Sequence, residues 1–278
     1  MSNLYNTQFK TLGPRAAQMI TELNERGRST FTLDDVVSIT GLSHNAASNL
    51  VHKSIKRGLV TRLKPGLYNL VPFHLGRARE HVDNPYLIAQ EMVKLNRYFI
   101  SHGAALEIHR MVTQPMLSMH VTCTKRLRPQ TVGGYPFRFI HVNDAQMFGT
   151  TKHWVDKQRS VIVSDMQRTI IDCLQHPIHA GGITEVAKGM WMAREALNVE
   201  CLVDYARRLG VGAVVRRLGY LLECYGLANP SVLEYLRTML TQTYQRLDPL
   251  LPAEGPHLAR WRLQLNVSPE ELDVVRYG

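Results

Sequence analysis

Gly41-Leu42-Ser43-His44-Asn45-Ala46-Ala47-Ser48-Asn49-Leu50-Val51-His52-Lys53 reads as a tight corner followed by a helix with two unlike faces. Glycine suits the corner between two helices, Leu42 plugs the core beneath it, and Ser43 caps the helix that follows. Between His44 and Arg57, the residues Ala46, Ala47, Leu50, Val51 and Ile55 fall on one side. His44, Asn45, Ser48, Asn49, His52 and Lys53 fall on the other. That outward set is polar, of short to medium length, and free of acid, as a surface facing phosphate requires. Asn makes paired bonds to adenine, while His and Ser bond base edges or phosphates.

Working outward from this helix, Pro14 to Arg26 carries Ala16, Met19, Ile20 and Leu23 at helical spacing, and Gly27 ends it. Thr30-Phe31-Thr32 is a short extended link, and Asp34 to Thr40 is a second helix with Val36, Val37 and Ile39 turned inward. Past Gly58, the stretches Leu59 to Leu63 and Leu67 to Val71 alternate as strands around a Lys64-Pro65-Gly66 turn. Helix, short strand, helix, turn, helix, hairpin is the order of a winged helix-turn-helix. Its wing has a basic tip, suited to straddling a phosphate backbone or entering a minor groove. The expected DNA contacts here are Ser43, His44, Asn45, Ser48, Asn49, His52, Lys53, Arg62 and Lys64. Of these, His44, Asn45, Ser48 and Asn49 read bases, and Arg62 and Lys64 hold phosphates.

The whole chain has 278 residues, which predicts about two domains. A hydrophobic fraction of 45% supports real cores, and a net charge of +10 favours a polyanionic partner, nucleic acid or an anionic membrane surface. Residues 1–81 hold eleven Lys and Arg against five Asp and Glu, so +6 of the excess lies in under a third of the length. That concentration favours a local nucleic-acid footprint. Met1 to Lys10 is polar, without an export signal, and no run of about 18 apolar residues occurs. Cys123, Cys173, Cys201 and Cys224 include no Cys-x-x-Cys pair and read as buried, reduced thiols of a cytoplasmic protein, with no zinc site. No cofactor or metal is expected. Pro72, Gly76 and the polar run Arg77 to Asn84 interrupt the apolar pattern, so a boundary is drawn there: residues 1–80 bind DNA and residues 81–278 form a second domain.

In the second domain, Pro85 to Leu95 and Gly103 to Met111 read as helices. Tyr98 to Ile100, Leu117 to Thr124, Phe137 to Val142 and Val161 to Val163 read as strands, with a turn at Gly133-Gly134. Phe137, Phe139 and, less strictly, His141 share one strand face. From Asp165 the pattern is helical, in four or five segments broken at Pro177, Gly181-Gly182, Gly210, Asn229-Pro230 and Pro249 to Pro252, and Trp261 to Val267 is a last strand. Strands followed by helices predict an α+β class.

Three segments are distinctive. They are Tyr98-Phe99-Ile100-Ser101-His102-Gly103-Ala104-Ala105-Leu106-Glu107-Ile108-His109; Ser164-Asp165-Met166-Gln167-Arg168-Thr169-Ile170-Ile171-Asp172-Cys173-Leu174 with His176-Pro177 and Gly181-Gly182-Ile183; and Arg246-Leu247-Asp248-Pro249 with Gly255, Arg260-Trp261-Arg262-Leu263 and Asn266. With the leading winged helix they resemble the AbiE-type antitoxins, over about residues 10 to 267. The resemblance implies a transcriptional repressor of its own operon in a type IV toxin–antitoxin, phage abortive-infection system, binding inverted repeats in its promoter. It implies a co-expressed toxin similar to a nucleotidyltransferase, countered without a stable complex. Inverted repeats require two copies of the chain, which can meet on the DNA.

The residues themselves carry plainer readings. Ser164 reads as a helix N-cap with Asp165 at the positive helix end. Arg168 and Asp172, four apart, can pair, or Asp172 can hold a loop. Ser101 and His102 read as caps; as adjacent residues they are not expected to face each other. Lys125, Arg126 and Arg128, like Arg207, Arg208, Arg216 and Arg217, read either as solvated faces or as further phosphate-tracking surface. The first three are counted among the candidate DNA contacts. Trp154, Trp191 and Trp261 read as core before they read as an effector pocket. The competing function is a metal-dependent nuclease or nucleotidyltransferase fused to a DNA-binding module. Asp144, Asp156, Asp165, Asp172 and Glu185 are scattered, and Lys188 three after Glu185 is a weak nuclease hint, so no enzyme is expected.

Overall fold

Pro14 opens the first helix, α1 (Pro14–Glu25), where its missing N–H costs nothing. The computed structural model describes residues 10–94 and 97–274; the polar start, up to residue 9, and Leu95 lie outside the described residues. After α1 come β1 (Thr30–Thr32), α2 (Leu33–Thr40), α3 (His44–Lys56), β2 (Val60–Lys64) and β3 (Leu67–Leu70). This is the order read from the sequence. The three strands pair antiparallel in the order β1-β3-β2. Ala16, Met19, Ile20 and Leu23 are all buried, with Phe31, Val36, Ala47, Val51, Leu59, Val60 and Leu70 completing the core.

The chain forms two compact units. The first extends past the boundary drawn at residue 80 to Lys94, and it also holds Thr131–Tyr135 and Trp154–Ser160. The physical reason for the extension is α4 (Pro85–Val93), capped by Asn84. Its Glu91 receives two bonds from Arg28, at 3.1 and 2.7 Å. Arg159 also reaches Ser29 at 2.8 Å and pairs with Asp83.

The remaining described residues form the second unit. Its order is β4 (Tyr98–Ile100), α5 (His102–Ile108), β5 (Met119–Cys123), β6 (Gln130–Val132), β7 (Tyr135–His141), β8 (Thr150–Trp154) and β9 (Ser160–Ser164), with the ends of β6, β7, β8 and β9 counted in the first unit. The sheet order is β6-β7-β5-β4-β9-β8, parallel between β5 and β7 and between β4 and β9, antiparallel between β4 and β5. Phe137 is buried, Phe139 half-buried and His141 exposed, so the expected strand face sinks only at one end. Helices follow: α6 (Met166–Gln175), α7 (Ile183–Met192), α8 (Val199–Leu209), α9 (Gly212–Tyr225) and α10 (Pro230–Thr238). Last are β10 (Gln245–Arg246), β11 (His257–Leu258), β12 (Leu263–Gln264) and α11 (Pro269–Asp273). The chain is a mixed α/β structure. The strand expected over Trp261 to Val267 shrinks to β12, because residues 259–262 form a turn, with Arg262 N–H on Ala259 O at 3.2 Å and Arg262 at φ 52, and Trp261 within that turn is buried in the helical core.

The distinctive segments lock this unit together. Asp248 Oδ2 accepts the Ile183 N–H at 2.8 Å, which closes the start of α7 from a distant stretch of chain. Gly182 permits that approach, since a Cβ there would lie 2.9 Å from Asp248 Oδ2. Asn266 holds the same loop, accepting from Asp248 N at 2.9 Å and donating to Asp248 O at 2.7 Å.

Several sequence expectations change here. The N-cap of α6 is Asp165, whose carboxylate accepts from Arg168 N at 2.7 Å. Ser164 still belongs to β9, and its hydroxyl sits 2.7 Å from Thr169 Oγ1. Arg216 and Arg217 are buried, not solvated, and belong to no phosphate-tracking surface. Arg217 serves the carbonyls of Leu247, Leu174 and Arg246 at 3.0, 2.6 and 3.1 Å. Arg216 holds Thr241 and Thr243. Arg207 and Arg208 do stay exposed. Cys201 and Cys224 are half-buried, while Cys123 and Cys173 are buried. Trp154 is exposed and Trp191 half-buried, so only Trp261 of the three tryptophans is full core. Lys188 and Glu185 form a half-buried ion pair with each other at 2.7 Å.

Candidate nucleic-acid interface

The turn into α3 is built as its residues dictate. Gly41 ends α2 at φ 66, a left-handed conformation that glycine adopts without strain. Ser43 Oγ accepts the Ala46 N–H at 3.4 Å and caps α3. Ala47, Val51 and Ser54 face inward, and the Ser54 hydroxyl returns to Leu50 O at 2.8 Å, so no polar group is stranded. Ser43, His44, Asn45, Ser48, Asn49, His52 and Lys53 are all exposed. One acid-free face of one helix therefore presents the whole set expected to meet DNA in α3.

Neighbouring side chains fix this helix pair. Thr32 and Asp35 form a capping box at the start of α2, with Asp35 Oδ2 2.7 Å from Thr32 N and 2.8 Å from Thr32 Oγ1. Arg28 grips the same carboxylate with two bonds, at 2.9 and 3.1 Å, while holding Glu91 on its other side. The two acids respond differently. Burial pushes Asp35 up, but its bonds to Arg28 and Thr32 outweigh this and hold it below the ordinary carboxylate range. Burial of Glu91 prevails over Arg28 and leaves its carboxyl raised. At the far end of α2, Gln18 donates to Ile39 O at 3.1 Å and Arg15 to Thr40 O at 3.3 Å. Nothing in the sequence marks Arg28 as the partner of Asp35 and Glu91, or Arg15 and Gln18 as donors to the last carbonyls of α2.

The wing is β2 and β3 around Pro65 and Gly66, with Gly66 at φ 79. Lys64 pairs with Leu67, and the register shifts between Arg62 and Lys64, a bulge that re-aims side chains. Arg62 is exposed; Lys64 is half-buried, and that burial lowers its ammonium pKa. Lys125, Arg126 and Arg128 are also exposed but belong to the second unit.

Comparison with known proteins locates this unit. Residues 18–71, from α1 through the wing, match the family model described as transcriptional regulator, AbiEi antitoxin. No curated protein matches. Among solved structures, the crystal structure of the RV2827C protein from Mycobacterium tuberculosis has a similar fold. Its TM-score is 0.68 at 14% identity, covering 98% of this chain and 97% of that one.

Proposed function

We propose that this chain, AbiEi-type over residues 18–71, is a winged helix-turn-helix repressor of its own operon and the antitoxin of a type IV abortive-infection pair. The supporting observation is the exposed, acid-free face of α3, held by a capped and clamped helix pair. In this reading α3 enters the major groove, where His44, Asn45, Ser48 and Asn49 reach base edges. Ser43, His52 and Lys53 border that face, and Arg62 and Lys64 bring the wing to phosphate. Lys125, Arg126 and Arg128 add sequence-independent affinity. Two copies occupy an inverted repeat in the promoter. The chain acts by binding and not by catalysis, so DNA incubated with it and Mg²⁺ stays intact. The cognate nucleotidyltransferase-like toxin is countered without a stable complex.

The direct experiment is footprinting of the full chain on DNA upstream of its own gene. Protection of an inverted repeat at low protein concentration is the expected result. Uniform or absent protection removes the repressor reading.

A further inference from the structure

The second unit packs four histidines on one another. His102 opens α5, His120 lies in β5, and His176 and His179 follow α6. The ring centre of His179 lies 5.1 Å from that of His102 and 4.8 Å from that of His120. His176 stands 6.0 Å from His102 and 5.9 Å from His179, and His102 stands 6.1 Å from His120. Among the described residues no three His, Cys, Asp or Glu side chains are placed to hold a metal ion, so the grouping is not a metal centre.

Nothing around the cluster suits a charged imidazole. His102 and His120 are buried, at 2% and 4% exposure. His102 Nδ1 sits 2.9 Å from Ser101 Oγ, which also receives Thr122 Oγ1 at 2.8 Å. The adjacent pair thus does meet, contrary to expectation. His102 Nε2 and His120 Nδ1 are buried with no partner. A protonated imidazole donates from both nitrogens, so a proton on either ring leaves a buried N–H without an acceptor. Besides the rings themselves, the charges that bear on the cluster are Arg138 on β7, Arg168 on α6 and Arg217 on α9, all positive. The nearby acids are turned elsewhere. Glu107 of α5, Asp172 of α6, Glu185 of α7 and Glu223 of α9 accept from Met116 N, Arg168, Lys188 and Trp261. The junction is also tight, since a Cβ on Gly103 would lie 2.6 Å from His179 O. His102 itself holds φ 51, a conformation that persists only where its surroundings fix it.

We propose that these four histidines are a pH-sensitive lock on the second unit, firm while all four rings are neutral and weakened as protons add in mild acid. Burial, then the neighbouring rings and arginines, holds each of them below the ordinary histidine range, His120 at about 3. In the unfolded chain they titrate at about 6.5. Below that pH the unfolded chain binds protons that the folded one refuses. The lock's contribution is therefore complete above about pH 6.5 and is lost as pH falls. Between about pH 7.5 and 5.5, each ring that stays neutral shifts the opening equilibrium about tenfold, and His102 with His120 about 100-fold. Asp172, raised to about 6, works in the opposite direction and offsets a smaller part. The first unit contains none of these rings, so acid acts on the second unit selectively.

The test is hydrogen exchange of the full chain, without DNA, at those two pH values, with rates corrected for the intrinsic chemistry of exchange. Protection of amides in α5 and β5 should fall at least about tenfold in acid, while that of α1 in the first unit changes by less than about threefold. His120→Leu should restore about tenfold of the loss. His141→Gln, at an exposed position of β7, should leave the loss as in wild type. Protection in α5 and β5 that holds or rises in acid would overturn the proposal. So would an equal fall in α1, which means general loosening in acid, or a His120→Leu chain that keeps the wild-type fall. The comparison on the unaltered chain decides the matter if His120→Leu fails to fold.

Discussion

Arg168 donates from Nε to Asp172 Oδ1 at 2.8 Å, and both side chains are buried. The arginine also serves the carbonyls of Gln146 and Phe148 at 2.9 and 3.1 Å and lies 4.2 Å from the Phe148 ring centre. The i, i+4 spacing allows this pair or a hold by Asp172 on a loop; the structure has the pair, and places it deep. Asp172 Oδ2 has no partner, and burial outweighs Arg168 in lifting the carboxyl to about 6.

A pH effect follows. The folded state binds the Asp172 proton more tightly than the unfolded chain, whose carboxyl titrates at about 3.9. Its contribution is complete below about pH 4 and is lost as pH rises through about 6. In urea unfolding, the stability of the wild type minus that of Asp172→Asn should fall across that window and level off above it. A difference that rises with pH, or stays flat, contradicts the assignment.

Trp261 packs on Gly219, where an added Cβ would lie 2.1 Å from Trp261 Cζ3. The indole is also fixed by Glu223 at 2.6 Å, so it has little room to move. Gly219→Ala should cost at least about 1–3 kcal/mol. Thermal melting should show the loss as about 2–4 °C per kcal/mol. An unchanged melting temperature would mean that the ring is loosely held.

Arg28 is the tie of the first unit. Arg28→Met strips charged hydrogen bonds from Asp35 and Glu91 and should cost about 1.5–3 kcal/mol. Arg28→Lys should rescue little, since an ammonium does not reproduce the planar fork. Full rescue in denaturant unfolding would show that charge alone matters there.

At the wing, Arg62→Ala and Lys64→Ala should each weaken binding to all DNA sequences alike. Each should reduce the slope of log affinity against log salt by about 1. Loss confined to one sequence would make that side chain a base reader.

The first unit was legible because its signals are local. Met19, Ile20 and Leu23 lie within one helix, and Gly41-Leu42-Ser43 and Pro65-Gly66 state their turns outright. The second unit hid what depends on distant chain. Arg216 and Arg217 look solvated until Thr241, Thr243, Leu247 and Leu174 supply their acceptors. Strand β8 is Thr-Thr-Lys-His-Trp, with no buried face to read. Ser164 and Asp165 are both good caps, and the competition turned on where β9 ends.

The proposed function turns on sequence reading by α3. Its most direct test is a ratio of affinities at fixed salt, for the full chain on its own upstream DNA and on a shuffled fragment of equal length. Wild type should favour its own DNA by about 10³-fold or more. Asn45→Ala with Asn49→Ala should bring that ratio down at least tenfold while leaving affinity for shuffled DNA nearly unchanged. A double variant that keeps the wild-type ratio would contradict the account.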